Sequence, residues 1–205
     1  MLAEAPRGPQ QERAPGRAAL PLDPGDASVV CSPPDTGQPR EGPLPRPLLV
    51  GVAGGTSAGK STFAIRIAEK FGAAKAIVIA ESSYYRDSSS LGGAASAVNF
   101  DHPDSIDFGL MERHLRLLID GREIPRLVYH RDTGVREEPG DTIAPRRVVI
   151  VEGILILAEP KIRDLLDYKI FIDADSDLRF IRRLGRDLTE KGMDFEEICR
   201  GYLEK

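Results

Sequence analysis

The segment GGTSAGKS at residues 54–61 constrains this chain more than any other. It ends the apolar run LLVGVAG (48–54), which reads as a buried strand. It opens a stretch, Lys60 to Phe71, where Phe63, Ala64, Ile67, Ala68 and Phe71 share one helical face. Glycines at such a junction let successive backbone N–H groups turn inward. The first turn of the helix adds positive potential. Together they form a cradle for phosphate oxygens. The pattern G-x-x-x-x-G-K-[ST] also gives two side chains defined tasks. Lys60 reaches the β- and γ-phosphates of a nucleoside triphosphate, and the Ser61 hydroxyl ligates Mg²⁺. The expected nucleotide-binding residues are Gly54, Gly55, Thr56, Ser57, Ala58, Gly59, Lys60, Ser61 and Thr62, and the expected cofactors are ATP or GTP with Mg²⁺.

The same alternation continues down the chain. AIVIA (76–80), VVIV (148–151) and KIFIDA (169–174) read as further buried strands. Asp107 to Asp120 carries Leu110, Met111, His114, Leu115, Leu117 and Leu118 at helical spacing and stops at Gly121. Residues 86–98 read as a loop, and Pro160 to Asp167 as a short helix. A longer helix starts at Asp175 or Ser176 and runs to about Thr189, and a last one begins near Asp194. Apolar strands alternating with amphipathic helices predict an α/β fold, with a parallel sheet covered on both faces. Residues 122–147 lack helical periodicity and read as a β-hairpin excursion carrying part of a site.

Residues 1–47 differ in kind. They hold eleven of the 16 prolines and no aromatic residue, and they read as a disordered Pro/Gly/Arg-rich tail. The predicted domain is therefore 48–205. The formal net charge of -4 shows no nucleic-acid footprint. No apolar run approaches the length of a membrane span, and the N-terminus lacks a basic-then-apolar leader. Two distant cysteines, Cys31 and Cys199, make no disulfide framework. The expected location is the cytoplasm, with a small-molecule substrate, no nucleic acid and no membrane. A homo-oligomer is compatible with this sequence.

Three more features suggest chemistry. VVIVEG (148–153) delivers Glu152 at a strand's carboxyl end, the edge at which open parallel sheets bind ligands. An acid there can hold Mg²⁺ through water. RFIRRLGRD (179–187) sets Arg179, Arg182, Arg183 and Arg186 on one helical face. Guanidinium groups there suit the charge that spreads over transferring phosphoryl oxygens. The competing reading is a solvated face paired with Asp175, Asp187 and Glu190. NFDHPDSIDF (99–108) is rich in aspartate with one histidine. A metal site is one reading; Asp101 holding sugar hydroxyls with Phe100 as a stacking surface is the other. The residues alone do not decide between them.

With these segments in place, residues 48–204 resemble the uridine kinase (uridine-cytidine kinase) family. The matching stretches are GVAGGTSAGKST, ESSYYRD, NFDHPDSIDF, VVIVEGILIL and IFIDADSDLRFIRRLGRD. The resemblance implies a P-loop NTPase three-layer α/β/α sandwich with a substrate hairpin and an arginine-bearing lid helix. It implies transfer of the γ-phosphate of ATP or GTP to the 5′-hydroxyl of uridine or cytidine, a step of pyrimidine salvage. It assigns Glu152 as the acid near magnesium and Ser82, Tyr85, Phe100, Asp101, Tyr129, Arg136 and Arg179 as substrate-side positions. Lys60, Glu152, Arg182 and Arg186 are the expected catalytic residues, and Ser61 and Glu152 the expected metal-side pair.

The departures fall on the acceptor side. The family's usual general base, an aspartate two residues before the Tyr-Tyr pair, is Ser82 here, with Glu81 just before it. The hairpin YHRDTGVR (129–136) has Gly134 where the family places a base-reading histidine. Lys191 and Met193 replace typical lid arginines. Against the family's pattern, the domain is expected to lack its last strand and helix. Such changes also fit a kinase of the same fold with another acceptor, or a nucleotide-binding module with little catalysis.

Overall fold

The computed structural model describes residues 27–32, 46–91, 99–190 and 192–203. Four parallel strands form the centre. They are β2 (Leu48–Gly54), β3 (Ala76–Ala80), β8 (Val148–Gly153) and β9 (Tyr168–Ala174). Between β3 and β8 lie four short strands: β4 (Ile124–Pro125), β5 (Val128–His130), β6 (Val135–Glu137) and β7 (Thr142–Ile143). With β1 (Ala27–Ser32) added, the main sheet has the order β1-β9-β2-β8-β3. The helices are α1 (Lys60–Phe71), α2 (Phe108–Ile119), α3 (Pro160–Arg163), α4 (Ser176–Glu190) and α5 (Phe195–Leu203). The predicted short helix at 160–167 closes at Arg163. Beyond it the chain turns, and the Asp167 N–H donates to the Leu49 carbonyl at 2.8 Å.

Strand alternation divides the core into two layers. Val50 and Val52 of β2, Ile150 of β8, and Ile170 and Ile172 of β9 pack beneath α1 with Ala64. Leu49, Ala53, Val149 and Val151 face the other way, onto Met111, Leu115 and Leu118 of α2 and Ile162 of α3. Period 2 in the strands and 3.6 in the helices thus meet on both sides of one sheet. This is the predicted α/β sandwich. Asp107 starts α2 by accepting the Leu110 N–H at 3.0 Å.

The 122–147 excursion is a nested pair of antiparallel ribbons, β4 with β7 and β5 with β6. Most of the predicted tail, residues 1–26 and 33–45, lies outside the described residues. Ala27–Ser32 departs from the tail reading, because it pairs antiparallel with residues 169–174 of β9. Its sequence, ASVVCS, contains neither proline nor glycine, a local property that the tail's average composition hides. The edge of β9 offers unpaired backbone groups, and a short β-prone segment satisfies them. No helix among the described residues is long and apolar enough to cross a membrane.

Candidate active site

Parallel pairing places three acidic or phosphate-binding elements side by side. Val52 of β2 and Ala80 of β3 both register with Glu152 of β8. The loop after β2, Glu152 at the end of β8, and Glu81 just past β3 therefore converge at the carboxyl edge of the sheet. A cavity of about 610 Å³ opens there. Its lining includes residues 56–63, Glu81, Ser82, Tyr85, Arg131, Glu152, Arg182 and Arg186.

The loop's geometry depends on its glycines. Gly54 has φ 149°, and a Cβ there would strike the carbonyl of Ile172 on β9. Gly59 caps α1 in the left-handed region, with φ 101°. Ser57 also has positive φ, 58°, and its hydroxyl is buried without a hydrogen-bond partner. Lys60 is buried, and its Nζ donates to the Gly55 carbonyl at 2.9 Å. Burial lowers its pKa, against the opposing pull of Glu152, Glu81 and Asp101. The Ser61 hydroxyl donates to Glu152 Oε1 at 2.9 Å. The two predicted metal-side residues, 91 positions apart in sequence, thus touch.

The arginine helix divides its residues. Arg182 and Arg186 line the cavity, as expected. Arg186 also donates to Asp187 at 2.9 Å. Arg183 does not join the cavity lining. It pairs with buried Asp187 at 3.4 Å and lies over the Tyr202 ring at 5.8 Å. The paired-face reading therefore holds for Arg183. Arg179 packs on the loop from behind: its Nε donates to the Ala174 carbonyl at 3.1 Å, and its guanidinium abuts Gly55.

Among the expected acceptor-side residues, Ser82 and Tyr85 line the cavity, while Phe100, Asp101, Tyr129 and Arg136 are not part of that lining. Tyr85, Phe100 and Tyr129 form a three-ring cluster with edge-to-face contacts of 4.7–5.9 Å. Arg136 binds Asp107 at 3.5 Å, and its backbone N–H donates to Asp87 at 2.7 Å, fastening the hairpin to the segment after β3. Asp101 lies close enough to Lys60 to act on its charge.

The metal reading of 99–108 finds no support in this geometry. His102 Nδ1 accepts the Asp104 N–H, Asp107 caps α2, and no three-ligand group forms among the described residues. His114 is packed, as its apolar helix face predicts, with Nδ1 3.2 Å from the Tyr84 hydroxyl.

Two further residues join the site: Glu81, which the sequence offers only as a substitute base for the missing aspartate, and Arg131. Glu81, 2% exposed, accepts the N–H groups of Ile154 and Leu155 at 3.1 and 2.9 Å. It packs so closely on Gly153 that no Cβ fits there. Its signal was an acid directly after a buried parallel strand. Arg131 lies against the ring cluster, in the turn that directly follows β5, two residues after Tyr129.

Burial raises the Glu81 pKa from 4.5 to about 7, against the two backbone N–H groups that favour the anion. The folded state then keeps a proton that the unfolded chain has already lost. The stability this confers is full below 4.5 and is lost as pH rises to about 7. The expected loss is about 3 kcal/mol. Calorimetry at pH 5 and pH 8 tests it: Glu81→Gln, which cannot titrate, should shrink the difference in Tm between the two. An equally steep fall in the variant would assign the slope to other groups.

Known proteins resemble this chain in sequence and in fold. The sequence pattern of the phosphoribulokinase/uridine kinase family matches residues 49–205. The chain is 43% identical to the uridine kinase of Clostridium botulinum (strain Okra / Type B1) over 161 residues, 78% of each protein. It is 40% identical to that of Alkaliphilus metalliredigens (strain QYMF) over 159 residues, 77% of this chain and 76% of that protein. In fold it is similar to the kinase assigned to a fructose transport system of Silicibacter sp. TM1040. That match has TM-score 0.68 at 20% identity and covers 81% of this chain and 82% of the other.

Proposed function

This chain belongs to the phosphoribulokinase/uridine kinase family, and we propose that it moves the γ-phosphate of ATP or GTP to the 5′-hydroxyl of uridine or cytidine. The products are UMP or CMP, as in pyrimidine salvage, and the setting is the cytoplasm. The observation that carries this reading is the Ser61–Glu152 contact at 2.9 Å beside a glycine-shaped phosphate loop. A hydroxyl and an acid so placed suit one magnesium ion shared with phosphate oxygens. Such an ion would neutralise charge on the transferring group. Lys60 would hold the β- and γ-phosphates, with Arg182 and Arg186 closing on the same oxygens. Ser82, Tyr85, Phe100, Asp101, Tyr129 and Arg136 would hold the nucleoside.

Serine at 82 does not take a proton at neutral pH without an activating partner. Transfer still proceeds, because positioning and electrostatics supply most of the rate in a loose transition state. Restoring a carboxylate should help. Ser82→Asp is expected to raise kcat by up to roughly 10²-fold, within the range of general-base catalysis. A fall in kcat would mean that the proton leaves by another route.

The reading as a whole is tested by product identity. Uridine should yield a 5′-monophosphate by chromatography, and 5′-deoxyuridine, which lacks the accepting hydroxyl, should yield nothing. No monophosphate from uridine or cytidine would end this assignment.

A further inference from the structure

We propose that Arg131 sets the choice of pyrimidine, favouring a base with a carbonyl at position 4 over one with an amino group there. The inference rests on the nucleoside kinase reading above and goes beyond it by naming the group that reads the base. Arg131 follows β5 directly, two residues after Tyr129, and lines the cavity that contains the phosphate loop. Its guanidinium carbon lies 4.7 Å from the Phe100 ring centroid and 5.2 Å from that of Tyr85. It also engages the Tyr85 hydroxyl. Tyr129, in the same ring cluster, has a buried hydroxyl with no hydrogen-bond partner.

Donor count sets the preference. Guanidinium carries five N–H donors and no acceptor, and it stays charged at any working pH. Contact with two rings inclined at 70° to each other restricts the guanidinium and leaves N–H groups free to meet a ligand in the cavity. The accepting hydroxyl must lie beside Lys60 and Ser61. The heterocycle is then directed to the wall that carries rings, where Arg131 sits. A carbonyl oxygen at position 4 accepts from that edge. An amino group at position 4 brings donor against donor; only a guanidinium aimed at ring atom N3, an acceptor in cytosine and an N–H in uracil, would favour the amino base, so a native preference for cytidine would overturn the inference. Charged hydrogen bonds of this kind discriminate by roughly tenfold or more. The carbonyl at position 2 is common to both bases, so contact there would give no preference.

The test compares kcat/KM for uridine and cytidine in the full chain and in Arg131→Ala, Arg131→Gln and Arg131→Lys. The native chain should favour uridine by about tenfold. Alanine should bring the ratio near one. Glutamine should do the same with a smaller loss of kcat/KM, since its amide offers both a donor and an acceptor. Lysine, a donor-only cation, should keep part of the preference. A merely structural role would lower both substrates together and leave the ratio unchanged. If both nucleosides are phosphorylated and the ratio is unmoved by alanine, the inference falls while the kinase reading stands. If the native chain phosphorylates neither, both fall.

Discussion

Replacing Lys60 with alanine is expected to lower kcat by roughly 10²–10³-fold, the usual cost of losing one preorganised charge at a transferring group. Lys60 is buried and held on the Gly55 carbonyl at the start of α1, so it is oriented before any nucleotide arrives. Burial already weakens its hold on its proton, and three acids offset that effect only in part. Phosphate oxygens would add the missing counter-charge. The loss should therefore appear in kcat and in nucleotide affinity together. Steady-state rates with Mg·ATP and uridine decide it. Unchanged turnover would remove the phosphate-loop assignment.

The second large effect is expected at Glu152. Glu152→Gln keeps the volume and can still accept from Ser61, but it removes the negative charge that would face magnesium. The magnesium concentration for half-maximal rate should rise roughly 10–100-fold, as it does when outer-shell partners of a metal are changed. A magnesium titration at fixed nucleotide and uridine measures it. Saturating metal should recover part of the rate in Glu152→Gln and none in Lys60→Ala. An unaltered magnesium requirement would separate Glu152 from the metal.

The donor side of this site was legible because its determinants are local. Gly54 to Thr62 carries its strand, turn and helix signals within a dozen residues, and Glu152 sits at the end of an unmistakable apolar run. The sheet was legible for the same reason, since Leu49 against Val50 and Val149 against Ile150 need only a period of two. What escaped depends on neighbours distant in sequence. β1 exists because β9 has a free edge, and nothing within residues 27–32 names that partner. Glu81 matters because Ile154 and Leu155, more than 70 residues on, aim their N–H groups at it. Arg183 is a local case instead: of the two readings of the arginine helix, the pairing with Asp187, one turn on, is the one that holds for it. That i, i+4 pairing is legible in the sequence. Arg131 is not legible from the hairpin's own sequence, because its surroundings are rings from two other segments, Tyr85 and Phe100.

The central claim is that one cavity couples a nucleotide's phosphates to a nucleoside's hydroxyl. ADP release by the purified chain with Mg·ATP, with and without uridine, tests it most directly. The account predicts that uridine stimulates release, with one monophosphate formed per ADP. A folded, ATP-binding sample whose ADP release is indifferent to both uridine and cytidine would contradict it.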